Sequence, residues 1–124
     1  MNKKLVFGLT CAVLVLSLCA CDGPKFPYGT FAVEQGDEVL TFTRDGKCIY
    51  AVPAQGLSDA GTCSFKGNEV TFLTGEYCAS LGINGSGIYT WTYENDTLIF
   101  SLKGLEPCGV RRDSLNLVRW HLLK

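Results

Sequence analysis

GIYTWTYENDTLIFSL (Gly87–Leu102) reads as two short strands around a two-residue turn. Large residues recur at period two along Tyr89, Trp91 and Tyr93, and the alternation resumes at Leu98, Phe100 and Leu102. Asn95-Asp96, between the two runs, suits a tight hairpin turn with left-handed central residues. Such a turn pairs Tyr93 with Leu98, Trp91 with Phe100 and Tyr89 with Leu102. One face of the hairpin is then apolar from end to end.

The neighbouring turns pass the same test. A Gly67-Asn68 turn pairs Lys66 with Glu69 and Cys63 with Phe72, so Cys63, Phe65, Val70 and Phe72 share a face. A plain two-residue turn at Asp45-Gly46 would separate Leu40 and Phe42 from Tyr50. A G1 bulge with Gly46 left-handed instead sets Phe42 opposite Cys48 and Leu40 opposite Tyr50. Strands are expected over Gly29 to Val33, Val39 to Thr43, Lys47 to Val52, Thr62 to Lys66, Glu69 to Leu73, Ile88 to Glu94, Thr97 to Leu102 and Leu117 to Leu122. The connection from Val52 to Asp59 is too long for a turn type to set its register. Closing it with Ala51 opposite Ala60 places Cys48 opposite Cys63, on the face that carries Tyr50 and Phe65.

Repeated hairpins with inward aromatics and no long helical period predict an all-β fold. It is an antiparallel up-and-down meander closing into a small, about eight-stranded barrel, which leaves no exposed edge. The interior of such a barrel is just wide enough to be filled by side chains or to hold one small ligand. Phe42, Tyr50, Phe65, Phe72, Tyr89, Trp91, Tyr93 and Phe100 favour filling. In the ligand-holding version Tyr50, Tyr89, Trp91 and Tyr93 line a pocket mouth, their polar ends orienting an amphipathic guest.

Gly87-Ile88-Tyr89-Thr90-Trp91, then Leu98-Ile99-Phe100, then Pro107-Cys108-Gly109-Val110-Arg111 resembles the Gly-x-Tyr-x-Trp, Leu-x-Phe, Cys-x-x-Arg run of small bacterial lipocalin-like domains. The resemblance covers most of residues 29 to 122 and implies a lipocalin-like barrel. Such domains open with Gly-x-Trp, the indole lying beneath an arginine. Here Gly29-Thr30-Phe31 stands at that place, and the resemblance implies that Arg111 or Arg119 covers Phe31.

The amino-terminal segment speaks of location. Lys3 and Lys4 precede an apolar run from Leu5 to Ala20, the profile of a secretory signal. It is shorter than the ~20 residues that span a bilayer. Leu18-Cys19-Ala20-Cys21 resembles the lipobox of bacterial lipoproteins. That resemblance implies a signal peptide over 1–20 cut before Cys21, a diacylglyceryl thioether on Cys21, and acylation of the new amino terminus by a palmitate-type chain. Residues 21–28 are then a lipidated tether and 29–124 the barrel domain, held at the outer face of the cell membrane.

Cleavage there removes two of 11 basic residues and none of the 12 acidic ones, leaving a formal charge of −3. The basic footprint of a nucleic-acid binder is missing. The leader also removes Cys11 and Cys19, and lipid blocks Cys21, so Cys48, Cys63, Cys78 and Cys108 remain for two disulfides. The count alone permits three pairings. The strand register favours Cys48 with Cys63, and Cys78 with Cys108 follows by elimination.

No constellation for catalysis stands out. His121, the single histidine, sits near the carboxyl end beside Trp120 and reads as a surface or rim residue. Asp37-Glu38 and the Glu94, Asp96 pair fall in turns, where carboxylates are ordinary. Gly82-Ile83-Asn84-Gly85-Ser86-Gly87 lacks the Lys-Ser/Thr ending and following helix of a phosphate loop, and Arg111-Arg112-Asp113 reads as a solvated charge run or a short helical turn after Cys108, in preference to a contact for an anionic group. No enzyme, metal or cofactor is expected. Two functions follow as expectations: a membrane-anchored binding module for a small hydrophobic or amphipathic ligand, or a surface interaction protein or inhibitor of the envelope that binds another protein through the long loop from Thr74 to Gly87.

Overall fold

The computed structural model describes residues 24–73 and 75–124. The leader and Cys21 lie outside the described residues. Eight strands in sequence order form a closed antiparallel barrel in which each strand pairs with its chain neighbours and the last with the first. They are β1 (Gly29–Val33), β2 (Val39–Phe42), β3 (Lys47–Val52), β4 (Leu57–Lys66), β5 (Glu69–Phe72), β6 (Gly87–Glu94), β7 (Thr97–Leu102) and β8 (Arg119–Leu122). Two short helices, α1 (Glu76–Ser80) and α2 (Gly109–Leu115), sit in the β5–β6 and β7–β8 connections. This is the up-and-down, all-β architecture expected, consistent with a lipocalin-like fold.

The turns at one end take the predicted conformations. Asn95 and Asp96 have φ of 52° and 58°, and Tyr93 pairs with Leu98, Trp91 with Phe100 and Tyr89 with Leu102. Gly67 at φ 60° opens the turn that pairs Lys66 with Glu69. Gly46 at φ 90° donates its N–H to the Thr43 carbonyl at 3.1 Å, and the bulge sets Phe42 against Cys48 and Leu40 against Tyr50.

The β3–β4 register differs from the expected one by two residues. Pro53–Gln55 form one 3-10 turn, and Gly56 at φ 66° donates to the Pro53 carbonyl at 3.1 Å, so the chain reverses within four residues. Val52 therefore pairs with Leu57, Ala51 with Ser58 and Cys48 with Gly61. β4 starts at Leu57 rather than Thr62. The slip is even, so the same residues still face inward. Cys48 and Cys63 lie diagonally across the sheet, and the disulfide between them spans Cα atoms 5.9 Å apart. The second bridge, Cys78–Cys108, has a Cα separation of 6.0 Å. At the carboxyl end Leu117 is left-handed at φ 62°, which delays β8 to Arg119.

The end of the barrel that carries the tight turns is packed with rings. Phe31, Phe42, Tyr89, Leu98, Phe100 and Trp120 are almost wholly buried. Phe26, expected in the tether, instead plugs this end. Its ring lies 4.1 Å from Phe65, 5.0 Å from Phe42 and 5.2 Å from Trp91 by centroid. No arginine from the expected pair covers Phe31: Arg111 binds Glu106 and Arg119 pairs with Glu34 at 3.2 Å. A cation does lie over a ring at the chain entry, where the Arg44 guanidinium is 5.1 Å from the centre of Tyr28.

Candidate functional site: a hollow upper half with an acidic mouth

The opposite end holds a cavity of about 500 Å³. Its floor and walls come from inward positions of the sheet: Leu40 on β2, Cys48, Tyr50 and Val52 on β3, Leu57, Asp59 and Gly61 on β4, and Phe72 on β5. α2 closes one side with Val110, Arg111, Ser114 and Leu115, a single face at helical spacing. α1 borders the other side with Glu76, Tyr77 and Cys78. The Cys78–Cys108 disulfide ties α1 to the residue that begins α2, so one covalent bond holds both mouth helices.

Asp59 sets the position of α1. Its Oδ1 accepts the Tyr77 backbone N–H at 3.0 Å, satisfying one of the unpaired donors of the first helical turn. Gly75 allows this approach, since a β-carbon there would stand 3.0 Å from Asp59 Oδ2.

α2 and the lip of the loop are set by a buried charge pair. Glu106, its side chain 0 % exposed, receives two bonds from Arg111, Nη2 to Oε1 at 2.6 Å and Nε to Oε2 at 2.8 Å. The Tyr89 hydroxyl donates to Oε2 at 2.7 Å and the Cys108 N–H to Oε1 at 3.0 Å. Arg111 also reaches the carbonyls of Leu73, at 3.2 Å, and Gly85, at 3.1 Å. Burial works to raise the Glu106 pKa, but the Arg111 and Tyr89 bonds outweigh it and hold the carboxyl below its ordinary range. The Tyr89 hydroxyl is driven strongly upward by burial first and then by the Glu106 carboxylate. Gly87 makes room for this cluster, because a β-carbon there would lie 2.7 Å from Glu106 Cδ.

The structure disperses the four residues expected around one pocket. Tyr50 lines the cavity, where burial foremost raises its pKa, the bond with Ser114 opposes, and the charges of Glu38 and Asp37 add to the rise. Tyr89 lies in the core and spends its hydroxyl on Glu106. Trp91 is buried against Phe26. Tyr93 stands at the plugged end, donating to Asp96 at 2.9 Å. His121 lies away from the cavity, its Nδ1 3.1 Å from the Thr97 hydroxyl and its Nε2 3.5 Å from Glu34. Among the described residues no group of three or more His, Cys, Asp or Glu side chains could hold a metal ion.

Asp59, Glu106 and Leu115 were not singled out from the sequence. Glu106 had a visible signal: a carboxylate beside the Cys108 staple, five residues before an arginine. Comparison with family models, with curated proteins and with solved structures finds no match to this chain.

Proposed function

We propose that the protein is a lipid-anchored lipoprotein of the cell envelope whose barrel is a non-enzymatic binding module for a small hydrophobic or amphipathic molecule. The observation that carries this reading is the cavity of about 500 Å³ between the filled core and the two mouth helices. Its size falls in the roughly 300–1,000 Å³ range of small-molecule sites, and an apolar floor of Leu40, Phe72 and Leu115 beneath a polar rim suits an amphipathic guest. Half-exposed Leu57, Leu73, Tyr77 and Val110 extend the apolar surface outward at its rim. A ligand longer than the cavity has a greasy path out of it.

The anchor at Cys21 rests on the lipobox resemblance and the apolar leader. The described chain enters the barrel through Phe26 at the plugged end, so a tether before it points the mouth away from the bilayer. Ligand then exchanges with the aqueous side rather than directly with the lipid.

Native mass spectrometry of the protein released from its own host membrane tests the binding reading. A retained or titratable small molecule is expected, and its loss in Leu115→Trp, which fills the cavity, ties it to the site. A wild-type barrel that neither retains nor takes up an apolar probe overturns the reading. For the anchor, Cys21→Ser abolishes lipid labelling and leaves uncut precursor; unchanged labelling refutes it.

A further inference from the structure

We propose that this cavity takes a cationic amphiphile, with the apolar tail in the hollow half of the barrel and an ammonium-type head at the mouth. The inference rests on the reading of the cavity as a binding site and names the ligand class of that site.

The polarity of the cavity is divided by depth. Leu40, Cys48, Phe72 and Leu115 at its floor are buried and apolar. The charged residues of its lining are Asp37, Glu38, Asp59 and Glu76, against Arg111 as the one cation. Arg111 is already spent, since both its bonds to Glu106 and its two carbonyl contacts draw it into the wall. The ion pairs described elsewhere engage Glu34, Glu69, Asp96 and Asp113, none of the four at the mouth. Among the described residues the mouth therefore carries an excess of negative charge, with no cation paired to its four carboxylates.

Two of these carboxylates are built into the wall and are not surface ornaments. Asp59 occupies an inward position opposite Tyr50, held by the Tyr77 amide. Glu38 Oε2 is buried without a hydrogen-bond partner. That oxygen is buried against Gly36, where no described hydrogen bond offsets its charge, and a cationic head at the mouth offsets it through space. The rings of Tyr50 and Tyr77 line the same mouth and offer faces on which an ammonium group can rest. An anionic head would meet like charges along low-dielectric walls, where fields are focused rather than screened.

Binding of octyltrimethylammonium, octanoate and octanol to the full chain in zwitterionic nanodiscs tests the assignment, with empty nanodiscs subtracted. The cation is expected to bind tighter than octanoate by on the order of tenfold or more, with octanol between them. The isosteric double variant Asp59→Asn, Glu38→Gln keeps the α1 bond and is expected to narrow the gap to about threefold or less. Asp37→Asn with Glu76→Gln, which touches no described bond, narrows it in the same direction. Octanoate binding as well as the cation, or a gap unchanged in both variants, overturns the charge assignment while leaving the binding site standing. Failure of all three probes overturns the assignment together with the site itself.

Discussion

Arg111→Met isolates the part played by the buried charge pair at the mouth. The substitution keeps an unbranched apolar stem and removes the guanidinium, the only cation paired with Glu106 among the described residues, and the Glu106 side chain is 0 % exposed. An unpaired carboxylate at such a place costs about 3–5 kcal/mol. A domain of this size holds about 5–15 kcal/mol in total, so about a fifth or more of its stability is at stake. Adding Glu106→Gln removes the stranded charge while a neutral amide still meets the Cys108 N–H and the Tyr89 hydroxyl. The double variant should recover about 1–2 kcal/mol or more of the loss.

Urea unfolding with both disulfides intact, followed by tryptophan fluorescence, gives each stability from the midpoint and slope. Acid adds a second signature. The Glu106 pKa in the folded protein lies below its ordinary 4.5, so the pair's contribution is complete above that pH and is lost as pH falls through the depressed folded value. In Arg111→Met burial dominates and the folded pKa rises, so protonation at low pH relieves the variant. The gap between wild type and Arg111→Met should therefore start to shrink above pH 4.5, as the variant's raised group takes up its proton, and go on shrinking below 4.5 as wild type loses its pair. A single-variant loss under about 1 kcal/mol, or a double variant as unstable as the sum of both singles, refutes the buried-charge argument.

Three further outcomes follow from the same geometry. Gly87→Ala drives a β-carbon against the Glu106 carboxylate, which cannot move without leaving Arg111, and should lower stability by about 2 kcal/mol or more in the same urea assay. Phe26→Ala should cost about 3–5 kcal/mol and expose Trp91 to an aqueous quencher, whereas a mere linker residue would change neither. Replacing Cys78 and Cys108 by serine opens a loop of sequence separation 30 and should cost about 3 kcal/mol by thermal unfolding, with weaker ligand retention because α1 and α2 come untied.

The fold was legible wherever a strand packs against the filled half. The registers at Gly67-Asn68, Asn95-Asp96 and the Gly46 bulge follow from turn chemistry plus an apolar face on both partners; the Cys48–Cys63 disulfide follows from the shared face, and Cys78–Cys108 by elimination. The first half of β4 was not legible. Its inward residues are Leu57, Asp59 and Gly61, of which only one is apolar, while Pro53 and Gly56 read as an open loop. The missing alternation has a physical cause: these positions face a hollow rather than a packed core, so nothing demands large apolar side chains there. α1 escaped, and α2 was legible only as a short helical turn among the readings of Arg111-Arg112-Asp113, since a helix of five or seven residues gives too few turns to show a period.

Tyr89, Trp91 and Tyr93 lie away from the cavity for a related physical reason. Rings that alternate cleanly along β6 and β7 do so because cross-strand partners press on them from every side. A residue fixed in that way has no face left for a guest. Tyr89 illustrates it: buried between Phe72 and Phe100, it uses its one polar atom on Glu106. Tyr50 is the exception because its opposite neighbour on β4 is Asp59 rather than another ring, and α2 meets it with a serine. In a barrel this narrow, the filled end supplies the stability that permits the other end to stay open, and irregular polar positions on one strand mark the opening better than the largest side chains do.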